Sequence, residues 1–163
     1  MIQGKAIIFG NNIDTDQIIG AHHLTLPSIA DMALFAFEHH ENFTDHFTKG
    51  DIIVGGENFG CGSSREQAPA VLRERGVAAI VAKSFARIFF RNAINLGLPV
   101  IVCPEIDEIE DSARLEIWDN CIKDVTAKRQ YSIVALPYFI HNLVAAGGII
   151  DYLRKKEQNA GRR

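Results

Sequence analysis

Short apolar runs alternate with helical patterns through the first two thirds of the chain. Residues 5–9, Lys5-Ala6-Ile7-Ile8-Phe9, read as a strand stopped by Gly10-Asn11-Asn12, which is strong turn chemistry. Residues 51–54, 76–82 and 98–102 are further runs of strand length, and the unbroken apolar character of residues 76–82 predicts a strand covered on both faces. Between these runs, helical spacing predicts helices over residues 67–75 and 85–96. The second is read as capped by Ser84 and stopped by Gly97, with Phe85, Ile88, Phe89 and Leu96 in the core. Strand, helix, strand, helix, strand in this order predicts right-handed crossovers and a largely parallel sheet.

The texture changes after Glu105. Shorter alternation in residues 114–118, 121–123 and 131–134 predicts antiparallel strands, turned at Asp119-Asn120, and Pro137 opens a last helix that Gly147-Gly148 closes. The fold class expected is therefore α/β, a largely parallel central sheet with additional antiparallel strands. Residues 13–20 read as an extended segment with Asp14 and Asp16 on one side and Ile13, Thr15 and Gln17 on the other. Such acids could bind a metal or orient a catalytic group, or cap nearby backbone. Residues 21–25 read as an exposed loop, and Ser28 lies at the start of a helix with residues 30–37 as its apolar body. His39, His40 and His46 fit no metal-ligand spacing and read as a solvated face; no metal ligand is assigned in this chain.

At 163 residues, of which 47% are hydrophobic, the chain is expected to form one domain, residues 1–163, with a basic tail at about 154–163. A net charge of -3 gives no basic surface for nucleic acid. Cys61, Cys103 and Cys121 make neither a disulfide framework nor a zinc pattern, and point to a reducing compartment. No apolar stretch approaches the roughly 18 residues that span a bilayer, so a soluble, cytoplasmic protein without membrane partners is expected.

Candidate chemistry gathers at Gly55-Gly56-Glu57-Asn58-Phe59-Gly60-Cys61-Gly62-Ser63-Ser64-Arg65-Glu66, where a strand ends and a helix begins. Glycines admit a ligand close to the backbone, free N–H groups at a helix start favour negative charge, and Arg65 can grip a carboxylate with two hydrogen bonds. Ser63 to Glu66 also fits a capping box, with Pro69 setting the helix start nearer Gln67. Both readings can hold together.

This loop, with Asp14-Thr15-Asp16-Gln17-Ile18, Ala82-Lys83-Ser84-Phe85-Ala86-Arg87-Ile88-Phe89 and Ala145-Ala146-Gly147-Gly148, resembles the small subunits of 3-isopropylmalate dehydratases and homoaconitases, over nearly the whole chain. The resemblance implies a swivelling β/β/α domain equivalent to the mobile last domain of aconitase. It also implies a large subunit carrying a four-iron four-sulfur cluster, none of which is bound by this chain, and a dicarboxylate substrate. By the same resemblance Ser63 is the catalytic base, as an alkoxide, and Asp16 an orienting group. Arg65 binds a substrate carboxylate, with Ser64 and Gly62 beside it.

No arginine occurs between Asp16 and Arg65, where aconitase and homoaconitase hold a third carboxylate. Leu24, Thr25 and Leu26 stand in that loop and suit an alkyl group better than an unpaired charge. This favours 3-isopropylmalate, as in leucine biosynthesis, over homoaconitate, dimethylmalate or a maleate-type diacid. A non-catalytic module that binds a dicarboxylate is the alternative of a different class. His22 and His23 are left without a role.

Overall fold

In the computed structural model, which describes residues 1–160, seven strands form one sheet. They are β1 (Ile2–Ile8), β2 (Ile52–Gly55), β3 (Ala79–Ala82), β4 (Val100–Val102), β5 (Arg114–Ile117), β6 (Cys121–Asp124) and β7 (Arg129–Ser132). The spatial order is β4-β3-β2-β1-β5-β6-β7. β1 to β4 are parallel, and β5 to β7 continue from β1 in antiparallel pairing. The sheet curls until its ends meet, where the Val134 N–H donates to the Val102 carbonyl at 2.8 Å and the Cys103 thiol to the Ser132 carbonyl at 3.3 Å. Pairing the ends satisfies backbone groups that an open edge would leave to solvent.

Alternation along the strands divides the core in two. Ala6, Ile52, Val54, Ala79, Val81 and Ile101 point into the curl with Leu115, Ile117 and Ile122. Ile7, Ile53, Ile80 and Val100 point to the helices. This two-sided burial is why the parallel strands read as continuous apolar runs.

The helices are α1 (Thr15–Ile18), α2 (Ile29–Ala33), α3 (Glu41–His46), α4 (Gln67–Arg75), α5 (Arg87–Asn95), α6 (Tyr138–Ala146) and α7 (Ile149–Ala160). Among the described residues, none is long and apolar enough to cross a membrane. Several boundaries differ from the sequence reading. Ser84 does not cap α5: its hydroxyl accepts the Asn58 N–H and its carbonyl the Phe59 N–H, so the chain stays extended until Ala86. Rotating the helix start leaves Phe89 buried and Ile88 exposed, so Ile88 is not a core residue.

The helix expected through residue 37 is cut to α2, which Ser28 caps. Phe37 adopts a left-handed backbone and donates its N–H to Ile18, which a continuing helix could not do. Gly76 is the left-handed cap of α4, so β3 begins only at Ala79. His40 is not solvated like His39 and His46: its ring stacks on Phe9 at 4.0 Å, and burial lowers its pKa. Within the basic stretch, Arg154, Lys155 and Lys156 are exposed residues of α7, and Arg162 and Arg163 lie outside the described residues.

Candidate active site

The C-terminal ends of β1, β2 and β3 run into three segments that lock together, the place where parallel sheets bind ligands. Residues 55–66 lie between the other two. The Gly56 N–H donates to Gly10 at 3.0 Å, the Glu57 N–H to Asn11 Oδ1 at 2.7 Å, and the Asn12 N–H to Glu57 at 2.8 Å. On the other side, Phe59 and Ser84 share a bond of 3.0 Å, and the Ala86 N–H reaches Phe59 at 2.9 Å. Further along, the Gly60 N–H donates to Ile13 at 2.7 Å and the Thr15 N–H to Cys61 at 2.9 Å.

Phe59 anchors the loop from below, fully buried and edge-on to Phe85 and Phe89. Gly60 and Gly62 have φ of +78° and +86°, a conformation that side chains rarely adopt. At Gly60 a Cβ would also collide with the Phe89 ring. The glycines therefore serve the loop's path and its close approach to α5.

Asp14 and Asp16 do not share one side of an extended segment. The Asp14 carboxylate accepts the Gln17 N–H at 2.7 Å and caps the single turn of α1, so its charge is used on backbone. That turn aims Asp16 at Arg65, with Asp16 Oδ1 2.5 Å from Arg65 Nη1. Nη1 also donates to the Ile19 carbonyl at 3.0 Å. Among the described residues, Nη2 and Nε have no partner, so one edge of the fork is free. The arginine side chain is only 15% exposed, against 55% for Asp16.

The Ser63 carbonyl accepts two bonds, from the Thr15 hydroxyl at 3.0 Å and from the Arg65 N–H at 2.7 Å. Thr15, 1% exposed, thus positions the serine; sequence reasoning gave it no role, although a threonine between Ile13 and the Ile18-Ile19 pair was the available signal. The Ser63 and Ser64 hydroxyls and Gly62 are exposed, and neither hydroxyl has a partner among the described residues. The capping box does not form: α4 starts at Gln67 behind Glu66, without a side-chain cap. Ser63 lies too far upstream to reach that first turn, and the tight Ser63–Arg65 turn consumes its carbonyl instead. Ser63, Arg65 and Asp16 are brought together, with Ser64 and Gly62 in the same loop.

Residues 21–25 form a 3₁₀ turn that begins two residues after the Ile19 carbonyl held by Arg65. Leu24 and Leu26 are half-buried and pack on the helix-side core, whereas Thr25 is exposed. The exposed loop of the sequence reading is thus anchored by its leucines. Cys61 is half-buried, and Cys103 and Cys121 are buried. Burial pushes the Cys103 thiol above its ordinary value, which disfavours the thiolate a cluster needs. Among the described residues no cysteines gather into a metal-binding group. An apolar cavity of about 400 Å³ lies at the opposite end of the parallel strands, between Met1, Gly97, Trp118 and Val144, and includes none of the loop residues.

The aconitase C-terminal domain profile matches residues 36–105, which hold the serine loop and the segment after β3 but not Asp16. The chain is 46% identical to the 3-isopropylmalate dehydratase small subunit of Wolinella succinogenes, covering 94% of each chain. It is 45% identical to that of Aliarcobacter butzleri, covering 98% of each. Among solved structures, 3-isopropylmalate dehydratase from Methanocaldococcus jannaschii superposes with a TM-score of 0.93 at 39% identity, over 99% of this chain and 98% of that one.

Proposed function

Because the chain belongs to the family of 3-isopropylmalate dehydratase small subunits, we propose that it is one half of a heteromeric hydro-lyase interconverting 3-isopropylmalate and 2-isopropylmalate, a step of leucine biosynthesis. Loss of a proton and a hydroxyl gives the alkene diacid, and readdition of water in the opposite sense completes the isomerisation. The observation that carries this reading is the Asp16–Arg65 pair, which draws two distant segments into one site with the Ser63 hydroxyl exposed beside it.

Ser63 is the base that takes the proton from the carbon next to a carboxylate. A serine hydroxyl is ordinarily far too weak an acid for this, so the alkoxide must be favoured by Arg65, the loop N–H groups and the start of α4. Asp16 fixes one arm of the guanidinium, and the free Nη2 and Nε edge suits a substrate carboxylate. Ser64 and the Gly62 backbone add hydrogen bonds. Leu24, Thr25 and Leu26 shape the side that meets the alkyl branch. An iron-sulfur cluster held by the large subunit would supply the Lewis acid for the departing hydroxyl.

The test is anaerobic turnover of isopropylmalate, homoaconitate and dimethylmalate, with this chain alone and with its iron-sulfur large subunit, followed by the ultraviolet absorption of the alkene diacid. Turnover of isopropylmalate in the mixture only is the expected result. Preference for homoaconitate would overturn the substrate, and dicarboxylate binding without turnover in any mixture would favour a binding module.

A further inference from the structure

The two histidines without a role meet a carboxylate. His23 Nε2 lies 2.8 Å from Glu38 Oε1, and His22 Nε2 lies 3.4 Å from the same oxygen. One ligating atom from each residue falls within 4.8 Å of the others. A tetrahedral ion with bonds of about 2.0–2.1 Å to nitrogen and oxygen holds its ligand atoms about 3.3 Å apart. Two of the separations are already near that value, and His22, with 67% of its side chain exposed, is free to adjust the third.

The frame is stiff on the protein side. The His23 ring, 12% exposed, stacks on Phe35 with centroids 4.0 Å apart, and the His22 ring lies 3.9 Å from it. His22 also lies across Gly20, where a Cβ would meet its Cε1 at 2.6 Å.

We propose that His22, His23 and Glu38 form a binding site for a divalent first-row transition ion of the zinc type, open to solvent on its fourth side. Two imidazoles and one carboxylate suit such an ion better than magnesium or calcium, which take oxygen ligands. The ion replaces the hydrogen bond between His23 and Glu38, with the imidazole proton carried on Nδ1, and ties the 3₁₀ turn Ala21–Thr25 to the segment after α2. His39, whose Nε2 is 3.7 Å from the same oxygen on an 89% exposed ring, is a bystander.

The test is titration of the full chain with Co²⁺, read by visible absorption, and with Zn²⁺ as competitor, read by calorimetry. One ion per chain is expected, with ligand-field bands and no thiolate charge-transfer band. His22→Ala and Glu38→Gln each weaken binding by about tenfold or more, His39→Ala leaves it unchanged, and the thermal midpoint of His22→Ala without metal stays that of the parent chain. No saturable binding, a thiolate spectrum, or parent affinity in His22→Ala would overturn the site.

Discussion

Gly60→Ala isolates the packing that holds the serine loop. The methyl group meets two penalties. A left-handed backbone at φ +78° costs an alanine about 1–2 kcal/mol. The new Cβ also overlaps the Phe89 ring, which is 2% exposed and hemmed in by Phe59 and Phe85, so relief requires shifting a packed aromatic cluster at about 1–3 kcal/mol. Against these stands about 0.4–1 kcal/mol from the lower entropy of the unfolded chain. The net loss is about 1–5 kcal/mol, or a fall of roughly 2–18 °C in Tm at 2–4 °C per kcal/mol for a chain this long. Gly10→Ala is the internal control, since a Cβ there meets nothing within 4 Å and its φ is not left-handed; it should lie within about 0.5 kcal/mol of the parent. Urea unfolding of the three proteins decides it. Gly60→Ala matching Gly10→Ala would refute the close approach of the loop to α5.

Thr15→Val removes the hydroxyl bond to the Ser63 carbonyl while keeping volume, and should cost about 1 kcal/mol in urea unfolding. It should lower kcat in the assembled enzyme more than it raises KM, because the serine loses its hold rather than its chemistry. Arg65→Lys keeps the charge but cannot bond Asp16, Ile19 and a carboxylate together, so kcat/KM should fall by about a hundredfold or more. Asp111 takes the Ile8 N–H at 3.0 Å and Asn42 at 2.7 Å, tying α3 to the end of β1. Burial opposes its charge, yet these bonds and that from Ser112 hold its pKa below the ordinary value. Its contribution is therefore fully present above about pH 4 and lost as pH falls through the lowered value. Asp111→Ala should lose about 1 kcal/mol at pH 7 by urea unfolding and converge with the parent chain in acid.

The parallel half of the sheet was legible because β2 and β3 are buried on both faces, which leaves no polar residue to break their apolar runs. The antiparallel β5 and β6 were also readable from alternation, whereas the strand expected over residues 131–134 is β7 at Arg129–Ser132, two residues earlier. What escaped was decided by contacts between distant segments. Ser84 is a good cap by local rules, but the loop at Asn58 claims its hydroxyl. Phe37 breaks a helical pattern to reach Ile18, and His40 leaves a polar stretch to stack on Phe9. At the site, the loop and its arginine stood out by composition, whereas the turn at α1 that aims Asp16 at Arg65 depends on Asp14 being spent as a cap. The meeting of His22 and His23 with Glu38 has no local signature at all, since α2 and its turns bring them together.

The central claim is that Ser63 is the base, and it is tested most directly by Ser63→Ala in the complex with the large subunit. Substrate binding, solvent deuterium exchange at the carbon next to the carboxylate, and turnover would be measured side by side. Binding close to that of the parent enzyme, with exchange and turnover both reduced by about a thousandfold or more, is the predicted result. Exchange and turnover at parent rates in a correctly assembled complex would contradict it.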